Sequence, residues 1–465
     1  MEIQTLLSDI KQRLSDADSA ALLTQCGFSQ YTSTCDCADE LLAHADAAIH
    51  VFPVSTVKPC WFRLYVDAGL AKAVSIITRT IEDGQSGLMG DRDSWLDEVV
   101  AVLDRVLIIT GGLHRQTYIQ QLFDHLSLLS CSNRRSTELR CGLSSKRRRL
   151  DDIERVVSFP STNVFVPKIK HPVQQMNSPS LNRFEKHAND TREPIVLTGI
   201  LDHWPALTRW QRTAYWLDQT LDGRRLVPVE IGQSYTDDDW RQELMPVKQF
   251  FDRYLLPDDP SEVGYLAQHD LMAQIPSLRA DFTTPDYCYV DIPHEGEKAA
   301  SKIPQANEKS TLVNDELEPS DEHRDVHQNI WFGGRTVSPL HHDPYHNILC
   351  QVRGTKYIRL YSPRYNDRLY PRSKCEAAPH LAGTTDENVD SEQQDATIDM
   401  SNNSQVDVYA MELSPTEDWD ATWPDISDVP YVECLLKAGQ ALYIPHGWWH
   451  YVRSCSVGIS VSFWW

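Results

Sequence analysis

The chain has 465 residues, enough for two to three domains, and its 44 basic against 66 acidic side chains leave a net charge of −22. That balance excludes a generic nucleic-acid binder, which needs a surplus of cations to meet phosphates. Eleven scattered cysteines without a C-x-x-C pair exclude a zinc ribbon, and no uncharged apolar run is long enough to span a membrane. The first residues, Met1–Asp9, lack the basic stretch and apolar core of a secretory signal, so reduced thiols in an intracellular protein are expected.

Residues 1–130 read as an all-helical domain. Ile3, Leu6, Leu7, Ile10 and Leu14 recur at helical spacing, and Leu96, Val99, Val100, Leu103, Val106 and Leu107 do so more clearly. Ser94 is placed to cap that later helix and Gly111-Gly112 to stop it. A bundle or short solenoid of this kind suits a scaffold that docks a protein partner. The polar, basic stretch 131–154 reads as a linker. Its Lys146-Arg-Arg-Arg149 cluster fits equally a solvated charge run and a nuclear localisation signal.

From residue 155 to 465 strand patterns dominate. Pro194-Ile-Val-Leu-Thr-Gly199 is a buried-strand pattern, and His203 in the turn behind it reads as structural. Val227-Pro-Val-Glu230 and Tyr235-Thr-Asp-Asp-Asp-Trp240 follow; residue by residue they suggest an acidic turn and a core tryptophan. Charged insertions are expected at about 293–325 and 376–430. The stretch Cys375–Leu436 holds fifteen Asp and Glu and no Lys or Arg, which suits a solvated spacer or an electrostatic guide for a basic partner.

Between the insertions, Asn329–Gly334, Ile348–Val352 and Lys356–Tyr361 read as strands separated by turns. Before the second of these stands Ser338-Pro-Leu-His-His-Asp343, which contains an H-x-D. Two residues apart on a strand share a face, so His341 and Asp343 aim at one point while His342 aims away. An imidazole and a carboxylate that converge make two thirds of the facial triad that suits non-haem Fe(II). The chain ends in Ala438–Pro445, His446-Gly-Trp-Trp-His450 and a final strand Ser456–Trp465. His450, flanked by Trp449 and Tyr451, is preferred as third ligand over His446, which lies in the turn beside Pro445 and Gly447.

Pro339-Leu-His-His-Asp343, Lys356, Trp449-His-Tyr-Val-Arg453 and Ser460-Val-Ser-Phe-Trp-Trp465 together resemble the JmjC-domain oxygenases. The resemblance covers roughly residues 155–465. It implies an α+β chain in which the helical domain precedes a double-stranded β-helix, a cupin-like jelly roll with flanking helices. It also implies Fe(II), 2-oxoglutarate as co-substrate, and dioxygen. In that reading Lys356 meets the far carboxylate of 2-oxoglutarate, and Tyr265, Ser338, Asn347 and Trp464 line the same pocket. Glu230, Tyr235 and Trp240 match the substrate-side wall, where a carboxylate and an indole suit a guanidinium.

Three functions follow from this. The first is hydroxylation of arginine side chains in basic proteins. The second is demethylation of histone N-methyl-lysine by the same oxidant. The third is a non-catalytic binding module, against which an intact triad argues. A zinc hydrolase with the same ligands would leave Lys356 without a role. The resemblance tilts the location to the nucleus, without excluding the cytoplasm, and the partners expected are arginine-bearing or histone-like proteins rather than specific nucleic acid or membrane.

Overall fold

A computed structural model describes residues 3–31, 33–35, 37–51, 56–86, 94–140, 158–160, 165–234, 236, 239–292, 326–374, 376–377 and 397–465. The N-terminal part is built from α1 (Ile3–Arg13), α2 (Ala17–Gln25), α3 (Ala38–Ile49), α4 (Pro59–Ser86), α5 (Ser94–Thr110) and α6 (Gln116–Arg140). The apolar stripes read from the sequence face inward: Leu6, Leu7, Ile10 and Leu14 meet Leu103, Val106 and Leu107 in one buried cluster. Asp16 caps α2 by accepting the Ser19 N–H, and Gly111 and Gly112 take positive φ where α5 stops. Inside the bundle Arg115 donates to Asp67 at 2.8 Å, with both side chains almost wholly buried. Helix α6 continues to Arg140, so the first part of the expected linker 131–154 is helix instead. The Lys146–Arg149 cluster lies outside the described residues.

The second part is a strand sandwich. Its early strands are β1 (Gln174–Asn177), β2 (Ile195–Thr198), β3 (Leu226–Ile231), β4 (Arg241–Pro246) and β5 (Gly264–Leu266). The sandwich proper follows as β6 (His327–Gly333), β7 (Val337–His341), β8 (Asn347–Arg353) and β9 (Thr355–Tyr361). Beyond the short hairpin β10 (Glu376–Ala377) and β11 (Thr397–Ile398) come β12 (Tyr431–Lys437), β13 (Gln440–Ile444), β14 (Trp449–Ser454) and β15 (Gly458–Trp464). One sheet has the order β1-β2-β13-β8-β15-β6-β5-β3-β4, and the opposing sheet is β12-β9-β14-β7. From β6 to β9, and again from β12 to β15, consecutive strands alternate between the two sheets, in the manner of a double-stranded β-helix. Leu349, Ile358, Leu360, Leu442, Ile444 and Val452 fill the space between the sheets.

Two features set the site. Strand β14 pairs antiparallel with β7, and His450 lies opposite His341 in that register. Gly333, at the end of β6, lets β5 approach so closely that a Cβ there would stand 2.5 Å from that of Tyr265. The described part of the acidic stretch is not a solvated spacer throughout. Residues 293–325 and 378–396 lie outside the described part, but Val406, Val408, Ile426 and Val429 are buried against Leu340, Trp449 and Tyr451. The latter half of that insertion therefore forms an outer layer on the smaller sheet. Its few apolar residues are enough to anchor it, which the count of carboxylates concealed.

Candidate metal and co-substrate site

His341, Asp343 and His450 come together at one end of the sandwich, with one ligand atom from each lying within 4.8 Å of the others. The His341 Nε2 stands 3.9 Å from Asp343 Oδ1, and the His450 Nε2 stands 3.6 Å from Asp343 Oδ2. The two imidazole centroids are 4.2 Å apart. Each ring is held from behind: the Nδ1 positions of His341 and His450 lie 2.7 and 3.0 Å from the carbonyl oxygens of Pro339 and Trp448. A ring that donates Nδ1–H to a carbonyl keeps the Nε2 lone pair free for a metal. Burial, with His341 beside it, pushes His450 down to about 4, so this imidazole is neutral at ordinary pH.

The route by which Asp343 reaches the site differs from the one expected. Strand β7 ends at His341, and Asp343 lies beyond it in the turn towards β8. Alternation along one strand is therefore not what aims the carboxylate; the turn does, tied down where the Gly447 N–H donates to the Asp343 carbonyl at 3.2 Å. His446 is exposed in the turn before β14, whereas His450 is buried within it. His203 is likewise away from the triad and contacts Thr283 at 2.9 Å.

The donor set of two nitrogens and one carboxylate fits a non-haem ferrous ion, and its open side faces a cavity of about 840 Å3. Tyr265, Ser338, Asn347, Lys356 and Trp464 all line that cavity. Lys356 is 7% exposed, and among the described residues no carboxylate is paired with it. Its ammonium lies 5.7 Å from the centroid of the Trp331 ring. Burial alone pushes its pKa down to about 8. The Asn347 Oδ1 and the Trp464 Nε1 are also buried without a partner among the described residues. A buried cation beside unused amide and indole groups fits a ligand that brings its own carboxylate.

The same cavity also holds a buried carboxylate. Glu230 is 7% exposed and lies on β3, where it pairs across to Tyr265 on β5. The Trp240 indole donates to Glu230 Oε2 at 3.2 Å, and the Tyr265 hydroxyl also bonds the carboxylate. Desolvation nevertheless holds Glu230 above the usual carboxylate range, and among the described residues no basic side chain offsets it. Tyr265 thus links the Glu230 carboxylate to the cavity that Lys356 also lines. Tyr235 lies outside the described residues.

Several lining residues were not singled out from the sequence. The Thr336 and Ser454 hydroxyls bond each other at 2.8 Å, and Ser454 is the cross-strand neighbour of Lys356. Trp331 packs beneath Lys356 while its indole donates to the Ser462 hydroxyl at 3.1 Å. Arg372 reaches the cavity from just before the acidic insertion, and Asn402 and Asn403 reach it from within the insertion. The alternation in Asn329–Gly334 was the available signal for Trp331; nothing local marks the others.

The family of cupin-like domains matches residues 181–465. Lysine-specific demethylase 8 of Xenopus tropicalis is 38% identical over 294 residues, which are 63% of this chain and 52% of that protein. Lysine-specific demethylase JMJ30 of Arabidopsis thaliana is 33% identical over 391 residues, 79% of this chain and 74% of that protein. The human bifunctional peptidase and (3S)-lysyl hydroxylase JMJD7 is 24% identical over 288 residues, 58% of this chain and 76% of that protein. The match thus spans about half the length of the Xenopus relative and about three quarters of the plant one. The family match, the plant relative and the sandwich carrying the His341, Asp343 and His450 cluster agree: this chain belongs to the cupin-like JmjC family.

Proposed function

We propose that this chain is an Fe(II)- and 2-oxoglutarate-dependent protein hydroxylase that acts on arginine side chains of basic proteins. One observation carries the reading. A single cavity holds a buried cation, Lys356, and a buried carboxylate, Glu230, and neither has an oppositely charged partner among the described residues. Each is costly to bury alone, and each is relieved by a ligand of the opposite charge. A dicarboxylate satisfies Lys356, and a guanidinium satisfies Glu230.

His341, Asp343 and His450 would hold the ferrous ion, which supplies, with dioxygen and 2-oxoglutarate, the oxidant for a C–H bond. The balance is substrate C–H, dioxygen and 2-oxoglutarate in; C–OH, succinate and carbon dioxide out. The chain's own residues bind and orient. Lys356 draws the far carboxylate to the inner end, assisted by Asn347, Ser338 and Tyr265. Trp464 closes the wall and excludes water. Glu230 fixes the guanidinium, and the Trp240 ring offers a flat surface beside it.

Demethylation of N-methyl-lysine is the second reading, favoured by the names of the Xenopus and Arabidopsis relatives. It uses the same ligands and co-substrate but asks for an open polar or aromatic cage around a methylated ammonium. The proposal extends to a nuclear location, supported by the basic Lys146–Arg149 cluster, and to basic, histone-like partners, supported by the net charge of −22. The test is mass spectrometry of arginine- and methyl-lysine-bearing basic peptides after incubation with Fe(II), ascorbate and 2-oxoglutarate. A gain of one oxygen on arginine is expected; loss of methyl groups from lysine with arginine untouched would install the second reading instead.

A further inference from the structure

A buried polar cluster joins the helical part to the oxygenase part, and nothing in the chemistry above uses it. Its centre is Asp104, fully buried on α5. The Asp104 carboxylate accepts from Arg225 Nε at 2.8 Å, from the Leu226 backbone N–H at 2.7 Å and from Gln274 Nε2 at 2.7 Å. Arg225 adds an ion pair to it at 2.7 Å and donates to the Gln274 carbonyl at 2.9 Å, and its guanidinium lies 3.6 Å from the centroid of the Phe123 ring on α6. Gln274 also donates to the Leu226 carbonyl at 2.8 Å, and its Oε1 meets His269 Nε2 at 2.6 Å.

This carboxylate therefore grips two places on one wall. Leu226 opens β3, the strand that carries Pro228 and Glu230 into the cavity. Residues 226, 228 and 230 share a face, so an anchor at the strand's first residue sets where the Glu230 carboxylate stands. The second grip, through Gln274, holds His269, which lines the same cavity beside Gln268; Gln268 is held at a φ of 51°. One turn beyond Asp104, Ile108 lines the cavity itself. A buried carboxylate with this many donors is rigid, because the loss of any donor leaves a desolvated charge.

We propose that Asp104 is a positioning residue for the substrate wall, so that helix α5 is a working part of the oxygenase site. The inference rests on reading Glu230 as the substrate contact. It turns the N-terminal half from an appended dock into a support whose displacement moves β3 and, with it, Glu230. The Lys356 end, on β9 in the opposing sheet, does not depend on this anchor.

The test uses the full chain. Asp104→Asn presents an amide donor where only acceptors are wanted, and Arg225→Lys keeps a cation but loses the fork that also holds Gln274. With an arginine-containing basic peptide, the peptide KM is expected to rise about 10-fold or more for Asp104→Asn, and several-fold for Arg225→Lys, because small misplacements of a binding group are costly. The KM for 2-oxoglutarate and kcat are expected to change much less. Amide hydrogen exchange is expected to quicken over 226–231 and 264–274 while 347–353 and 458–464 stay protected. An equal rise in the peptide and 2-oxoglutarate KM, a loss confined to kcat, or exchange that rises everywhere or nowhere would overturn the proposal. If the native chain leaves the peptide unoxidised, the substrate reading fails, and the exchange pattern alone then decides the positioning role. If Asp104→Asn does not fold, Arg225→Lys carries both measurements.

Discussion

Replacing Lys356 by methionine should strengthen the fold and weaken co-substrate binding at once. The side chain is 7% exposed, and its pKa has fallen from 10.5 to about 8 through burial. Each unit is about 1.4 kcal/mol, so holding this ammonium charged at pH 7 costs the unliganded protein roughly 3 kcal/mol. The sign follows from proton counting. Between pH 8 and 10.5 the unfolded chain binds more protons at this lysine, so stability rises with pH across that window and the full penalty applies below it. Met is of similar length and apolar, so Lys356→Met should raise the melting temperature of the unliganded protein. It should also remove a charge-assisted bond to a carboxylate, about 1.5–3 kcal/mol, which weakens 2-oxoglutarate roughly 10- to 150-fold. Calorimetric titration of 2-oxoglutarate into Mn(II)-loaded protein, with thermal unfolding alongside, measures both. The native affinity should fall as pH rises through about 8, and the variant should be flat there. Unchanged 2-oxoglutarate affinity would refute the assignment of Lys356 to the carboxylate.

Asp343→Ala should abolish 2-oxoglutarate turnover while leaving the circular dichroism spectrum intact, because the carboxylate lies in a turn and is partly exposed. Turnover at the native rate would remove it from the metal site. Glu230→Gln should cost about 1.5–3 kcal/mol in kcat/KM for an arginine peptide, a loss of roughly 10- to 150-fold, with the 2-oxoglutarate KM little changed. Because burial raises the Glu230 pKa, native kcat/KM for that peptide should fall as pH drops through this raised value, and the Gln variant should lack that limb. A peptide kcat/KM that ignores the substitution would point away from guanidinium recognition.

Strand alternation and apolar periodicity determine much of what matters here. The strands expected over Asn329–Gly334, Ile348–Val352 and Lys356–Tyr361 are found as His327–Gly333, Asn347–Arg353 and Thr355–Tyr361. Their β-branched and aromatic residues have few ways to be buried other than on a pleated surface. The helical stripe from Leu96 to Leu107 is equally local, since spacing alone decides which residues share a face. The residue types of the candidate site were legible too, though not from H-x-D alone, which also occurs at His44–Asp46 and His323–Asp325; the agreement in order of the motifs around His341, Lys356 and His450 singles out the third.

Other features were set by packing between distant segments. His450 stands opposite His341 only because β14 and β7 share a register, a pairing 109 residues apart that no local pattern encodes. Asp343 reaches the triad from a turn, and turn geometry depends on what it packs against, here Gly447. Lys356 is a strand-end lysine in sequence; the fold makes it a buried cation by enclosing it. Asp104 is the sharpest case. On α5 it reads as one polar residue in an amphipathic helix, and only the docking of Arg225, Leu226 and Gln274 around it turns it into an anchor. Local sequence determined which side chains share a strand or helix face, because that depends on short-range geometry. Which charges lost their water, and which partners replaced it, was decided by tertiary structure, because desolvation belongs to the assembled fold.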